Sequence, residues 1–304
     1  MDLQTIIYSK YGIGFTYWLG RILPPPAGRA VANGIAWFIT SRKRNMQVRA
    51  VRANQWIVSH KTMEGRKLEN QVHEVFEHSA QCLYEMFHYY RDPAALMKKV
   101  RLSPRIFDVV ERCLETKKGI VLVGPHLSNF DLAIQAALHC FSQSGLKGLA
   151  LSPPQPPSSY QRQNQLRNHD GLDVVPFSVT ALRRAAECLS SGGIVITGVD
   201  RPITSQKYPV RFFGESATLP VTHVQLALNA NVPVVIITCH MEPDGSYCVE
   251  ASEEIPMQPD PDHQIELTRN AEAILSRVEA SICEYSNQWL MFFPVWSQAL
   301  DQMP

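Results

Sequence analysis

Between residues 68 and 90 the apolar positions Leu68, Val72, Val75, Phe76, Leu83, Phe87 and Tyr90 follow a three-to-four spacing, one face of a helix. Ser103 followed by Pro104 marks another helix start; Ile106, Phe107, Val110 and Leu114 form its face, and Gly119 ends it. With the apolar stretches at 11–23 and 31–39, the first hundred or so residues read as helical. After Gly119 the pattern changes. Short, largely apolar runs at 120–123, 149–151, 172–175, 194–199 and 232–239 alternate with helix-like segments at 129–141 and 178–189, and with one opened by Thr218 and Pro220. Runs of that length point to strands covered on both faces of a mostly parallel sheet. The expected fold is α/β, with a helical region over 1–115 and a sheet-and-helix core over 116–304. Such sheets hold their ligands at the C-terminal ends of the strands.

Composition changes this picture in one respect. Charged residues are 19% of the chain, below the roughly 25% of an average soluble protein, while 45% are hydrophobic, so a disordered chain is excluded. The net charge of +1 gives no sign of nucleic-acid binding. Its distribution is uneven: the first sixty residues carry eight Lys and Arg against Asp2 alone. No stretch reaches the roughly 18 consecutive apolar residues of a membrane span, and no signal peptide is visible. Residues 11–23 and 31–39, with Trp18 and Trp37 and the basic residues Arg42, Lys43, Arg44, Arg49 and Arg52 after them, suit helices lying in a membrane interface. A helical cap packed on the core is the alternative. The seven cysteines show no CxxC pair, which suggests reduced thiols and neither a zinc site nor a disulfide framework.

The chemistry concentrates at predicted strand ends. The run 120–123 leads into Gly124, Pro125, His126, Leu127, Ser128, Asn129, Phe130 and Asp131. His126 falls in the turn and Asp131 in the first turn of the next helix. A chain folding back there lets Asp131 hold one imidazole nitrogen and leaves the other as a base. Asp200-Arg201 ends another strand and reaches the same rim; either a site pair or a structural ion pair fits. Arg211 precedes Phe212-Phe213-Gly214, a strand closed by a turn glycine, and Glu215 can face the rim. Of the remaining histidines only His240, ending the strongest strand, could reach it. Neither a Gly-x-Ser-x-Gly elbow nor a glycine-rich nucleotide loop occurs.

Together these residues resemble a known family. His126 and Asp131, four residues between them after a buried strand, are similar to the acyltransferase box of the glycerolipid acyltransferases. Asp200-Arg201, the segment 212–215, Leu226-Ala227, Val232-Pro233-Val234, Gln288-Trp289 and Trp296 resemble later blocks of the bacterial lipid A (lauroyl/myristoyl) acyltransferases. Phe130-Asp131, where those enzymes usually carry Trp-Glu, leans toward the phosphatidylinositol mannoside acyltransferase branch. The Phe-Pro-Glu-Gly block of lysophosphatidate acyltransferases is absent, which argues against a glycerol-phosphate acceptor.

The resemblance implies transfer of a fatty acyl group from acyl-CoA or an acyl carrier protein to a hydroxyl of a membrane glycolipid, without cofactor, metal or covalent intermediate. It implies His126 and Asp131 as the catalytic pair, and Ser128, Asn129, Arg167, Asp200, Arg201, Arg211 and Glu215 as substrate contacts. The acyl chain is expected in an apolar channel beside the helix at 129–141, and the protein on the cytoplasmic face of the inner membrane. A thioester hydrolase and an inactive lipid-binding homologue are the competing readings.

Overall fold

A computed structural model of the chain describes residues 20, 22–90, 92–154, 164, 168, 171–203 and 207–303. Three helices open the described part: α1 (Pro25–Thr40), α2 (Met46–Val58) and α3 (Gly65–Tyr89). Prolines in the first turn of α1 cost no hydrogen bond. Asn45 caps α2 by accepting from the Gln47 amide. The α3 face read from sequence is buried through Leu68, Val72, Val75, Phe76 and Phe87.

A short helix α4 (Pro93–Lys99) leads into β1 (Val100–Leu102), α5 (Pro104–Thr116) and β2 (Ile120–Gly124). Then come α6 (Phe130–Phe141), β3 (Gly148–Ser152), β4 (Leu172–Pro176), α7 (Val179–Ser190) and β5 (Ile194–Gly198). The hairpin β6 (Val210–Phe212) and β7 (Glu215–Ala217) precedes α8 (Thr222–Ala230), β8 (Val234–Met241), β9 (Tyr247–Ala251) and the long α9 (His263–Glu284). A 3₁₀ turn (Ser286–Gln288) and a last helix α10 (Ala299–Gln302) close the chain.

Seven strands form one sheet in the order β1-β9-β8-β2-β5-β3-β4. From β8 to β4 every pairing is parallel; β9 runs antiparallel to β8, with β1 parallel to β9. The mixed α/β architecture with a mostly parallel sheet is as expected, and the antiparallel edge is an addition. β1 lies inside the region read as helical, because three residues on an edge strand leave no apolar run to detect. The β6–β7 hairpin is separate; Phe213 and Gly214 take φ 52° and 74°, the positive values a tight hairpin turn requires.

The N-terminal segments expected to lie in a membrane interface are described in part. Residues 11–19, with Trp18, lie outside the described residues. No described helix is long and apolar enough to cross a membrane. α1 buries Gly28, Ala32, Ala36 and Ile39 yet exposes Val31, Ile35, Trp37 and Phe38. It is apolar on both sides.

Candidate active site

The parallel pair β2–β5 sets the geometry. Gly124 and Gly198 are in register at the strand ends, so the residues two further on, His126 and Asp200, face each other across the rim. His126 Nδ1 lies 2.6 Å from Asp200 Oδ1, and the His126 amide donates to Oδ2 at 2.8 Å. Trp289 Nε1–H donates to the same Oδ2 at 2.7 Å. The expected partner at that imidazole nitrogen was Asp131; Asp200 stands there instead. Asp131 sits half-buried in the first turn of α6, where a helix N-terminus favours a carboxylate.

Asp200 is wholly buried. Burial pushes its carboxyl up, but the charge of His126 and the hydrogen bonds from His126 and Trp289 together hold it below the usual carboxylate value. An ionised Asp200 accepting Nδ1–H leaves Nε2 with its lone pair. Gly198 makes room for the ring, since a Cβ there would lie 2.9 Å from His126 Cε1. Phe130 meets the imidazole edge-on at a centroid distance of 5.6 Å.

The loop carrying His126 is locked from behind. Leu290 N–H donates to His126 O and Ser128 N–H to Gln288 O, both at 2.8 Å, forming an antiparallel bridge. Ser128 takes φ 51°, and its hydroxyl meets His78 Nε2 at 2.8 Å. Burial lowers the His78 imidazole to about 4, so it is neutral at ordinary pH. Asn129 caps α6 through the Leu132 amide and donates to Cys82 O at 3.1 Å. Ser128 and Asn129 are both buried. They hold the loop, and neither is part of the lining of the cavity beside His126.

A cavity of about 290 Å³ opens beside His126. Its walls are α5 (Ile106, Val109, Val110), α6 (Ala133, Ile134, Ala137, Leu138, Phe141) and the sheet. The lining runs from Gly148 and Leu172, at the starts of β3 and β4, to Pro153 and His126 at the opposite ends. It therefore follows the strands, roughly 16 Å for five residues. Arg201 lines it too, its guanidinium 4.0 Å from the Phe293 ring centroid. Neither Arg211 nor Glu215 is part of this lining: Arg211 is exposed on the β6–β7 hairpin, and Glu215 pairs with Lys61 Nζ at 2.6 Å. Arg167 lies outside the described residues.

Residues 3–298 match the bacterial lipid A biosynthesis acyltransferase family. The chain belongs to that family. Among curated relatives, it is 25% identical to a phosphatidylinositol mannoside acyltransferase of Mycolicibacterium smegmatis over 186 residues, 60% of this chain and 58% of the relative. It is 27% identical to a protein of that same description from Mycobacterium tuberculosis over 141 residues, 45% of this chain and 44% of the relative. The alignments thus span about half the length of the curated relatives. In the geometry of this family member, the pairing of His126 with Asp200 and the Trp289 bond escaped the sequence reading. The signal was present in two buried strands, each ending in glycine, with His and Asp two residues beyond.

Proposed function

We propose that the protein transfers a fatty acyl group from an acyl thioester to a hydroxyl of a membrane glycolipid, of phosphatidylinositol-mannoside or lipid A type. The observation carrying this reading is the pairing of buried Asp200 with a His126 ring that lines a long apolar cavity. A thioester is already activated, so the protein needs only to deprotonate an alcohol and steady the developing oxyanion. His126 Nε2 takes the hydroxyl proton, Asp200 balances the imidazolium, and the alkoxide attacks the thioester carbon. Collapse expels the thiolate, which recovers the proton from His126. The reaction so written needs no cofactor. Arg201 at the cavity mouth is suited to an anionic group of donor or acceptor.

The cavity supplies the binding energy for the chain. At about 0.8 kcal/mol per buried CH₂, a sixteen-carbon acyl group outweighs any single polar contact. Coenzyme A and acyl carrier protein are the proposed donors. The proposed place of work is the cytoplasmic face of a membrane, where α1 presents Trp37 and its apolar neighbours.

Palmitoyl and acetyl thioesters, each alone and then with phosphatidylinositol mannoside or lipid A precursors, test the reading. We expect acylated glycolipid from the palmitoyl donor, little from the acetyl donor, and little free acid without acceptor. Removing a general base usually costs about 10²–10⁴ in rate, so a folded His126→Ala variant should lose that much. Free fatty acid as the main product would make the protein a hydrolase. No turnover of any thioester would support the inactive lipid-binding reading.

A further inference from the structure

On the β8–β9 pair, outside the cavity lining, three side chains of metal-ligand chemistry meet. His240 and Cys248 are direct cross-strand partners in the antiparallel pair, so their side chains leave the same face. Glu242, two residues beyond His240, returns to that face and brings Oε1 to 3.3 Å from His240 Nε2. One nitrogen, one oxygen and one sulfur lie within 4.8 Å of one another. The buried His240 ring stacks on Tyr285, centroids 4.1 Å apart and planes 10° from parallel, which presets the direction of Nε2.

We propose that His240, Glu242 and Cys248 bind one divalent cation of the zinc class, at a site separate from the acyl-transfer centre. The donor set decides the class: imidazole, carboxylate and thiolate suit zinc or cobalt, whereas calcium and magnesium take oxygens. Tetrahedral zinc bonds place a nitrogen and an oxygen ligand about 3.3 Å apart, the separation His240 and Glu242 already have. Cys248 has to close by little more than about 1 Å. The fourth position is left to water.

The surroundings are acidic. Glu284 and Glu250 lie beside the Tyr285 ring that stacks on His240, together with Glu242. Among the described residues Arg101 competes: from β1, in register with Cys248, it holds Nη2 3.5 Å from Glu242 Oε1 and also donates to the Cys248 sulfur. Its side chain is 63% exposed, and an exposed pair of this kind contributes little. On binding, Arg101 moves into water and the Cys248 thiol releases its proton to solvent, as thiolate ligation requires. Sequence spacing hides this site, because β-pairing rather than chain distance brings Cys248 to His240.

The test uses the full, tag-free chain, stripped with chelator and titrated with Co²⁺ and then Zn²⁺. We expect one equivalent bound, with a thiolate-to-cobalt charge-transfer band that Zn²⁺ abolishes. Cys248→Ser should remove the band and weaken Zn²⁺ binding at least about tenfold, with an unchanged circular dichroism spectrum. Should Cys248→Ser misfold, His240→Gln serves as the second ligand variant, with the same loss of affinity expected. Arg101→Ala should tighten binding. Absence of the band in both the wild type and Arg101→Ala would overturn the proposal. So would a band that persists in Cys248→Ser, since another of the seven cysteines would then hold the metal.

Discussion

Asp200 accepts three hydrogen bonds at one buried carboxylate, from the His126 ring, the His126 amide and the Trp289 indole. Such a group has one orientation open to it, and it transmits that orientation to the imidazole. Gly198 completes the seat by leaving space where a side chain would stand. Gly198→Ala should therefore leave the fold intact and displace the ring. We expect acyl-transfer kcat to fall at least about tenfold with the KM for donor little changed, since near-attack geometry is lost for small displacements. A wild-type kcat would mean the ring position is not set from β5. Asp131, the nearer carboxylate in the chain, illustrates why sequence distance misleads: the partner at Nδ1 is supplied by an adjacent strand 74 residues away.

At the scale of elements, α3 and α8 each carry a buried histidine into the core. Burial lowers His78 and His223 to about 4, and neither ring nitrogen of His223 has a hydrogen-bond partner among the described residues. The unfolded chain protonates near 6.5, so between pH 6.5 and 4 it binds more protons than the folded one. Stability is full above 6.5 and falls as the pH falls through that window, by roughly 3 kcal/mol for each histidine. His223→Leu removes two unpaired polar atoms and one titrating site, so it should raise the thermal midpoint more at pH 5 than at pH 8. An equal shift at both would assign the effect to packing alone. Periodicity made most elements of this fold legible: β2, α6, β3, β4, α7, β5 and β8 stand within a few residues of where apolar runs and caps place them. It passed over β1 and β9. Both are short and of mixed burial; β1 is the sheet edge and β9 lies between it and β8, and the β1–β9 pairing joins segments far apart in the chain.

For the molecule as a whole, the N-terminal helices present two different faces. Asn54 on α2 donates to Met291 O and Phe293 O and accepts from the Val295 amide. Gln55 donates to Ser286 O at 2.8 Å. These bonds brace the strap at 286–295 that holds both the His126 loop and Asp200, so the helical region is part of the site's scaffold. The outer face of α1 has a different character, with Val31, Ile35 and Phe38 on successive turns and Trp37 beside them, 67% exposed. The basic run after it is partly used internally: Arg52 and Lys43 pair with Glu69, Arg49 donates to Leu300 O, and Arg42 lies over Phe38. Apolar insertion rather than charge should therefore dominate attachment. The chain should float with mixed anionic liposomes even in high salt, and Trp37→Asp should weaken that flotation. Protein left at the bottom of the gradient with and without salt would make α1 a cap and nothing more.

Comparison of Asp200→Asn with Asp131→Asn tests whether the Asp200–His126 pair performs acyl transfer at the cavity. Both variants are nearly isosteric, and their folding can be matched by thermal melts. Single-turnover acylation of phosphatidylinositol mannoside by palmitoyl thioester, followed by mass spectrometry of the lipids, measures the step itself. Loss of the carboxylate that orients and balances the base should cost about 10² or more in Asp200→Asn, with a smaller loss in Asp131→Asn. A folded Asp200→Asn variant acylating at the wild-type rate, or one less impaired than Asp131→Asn, would contradict the account.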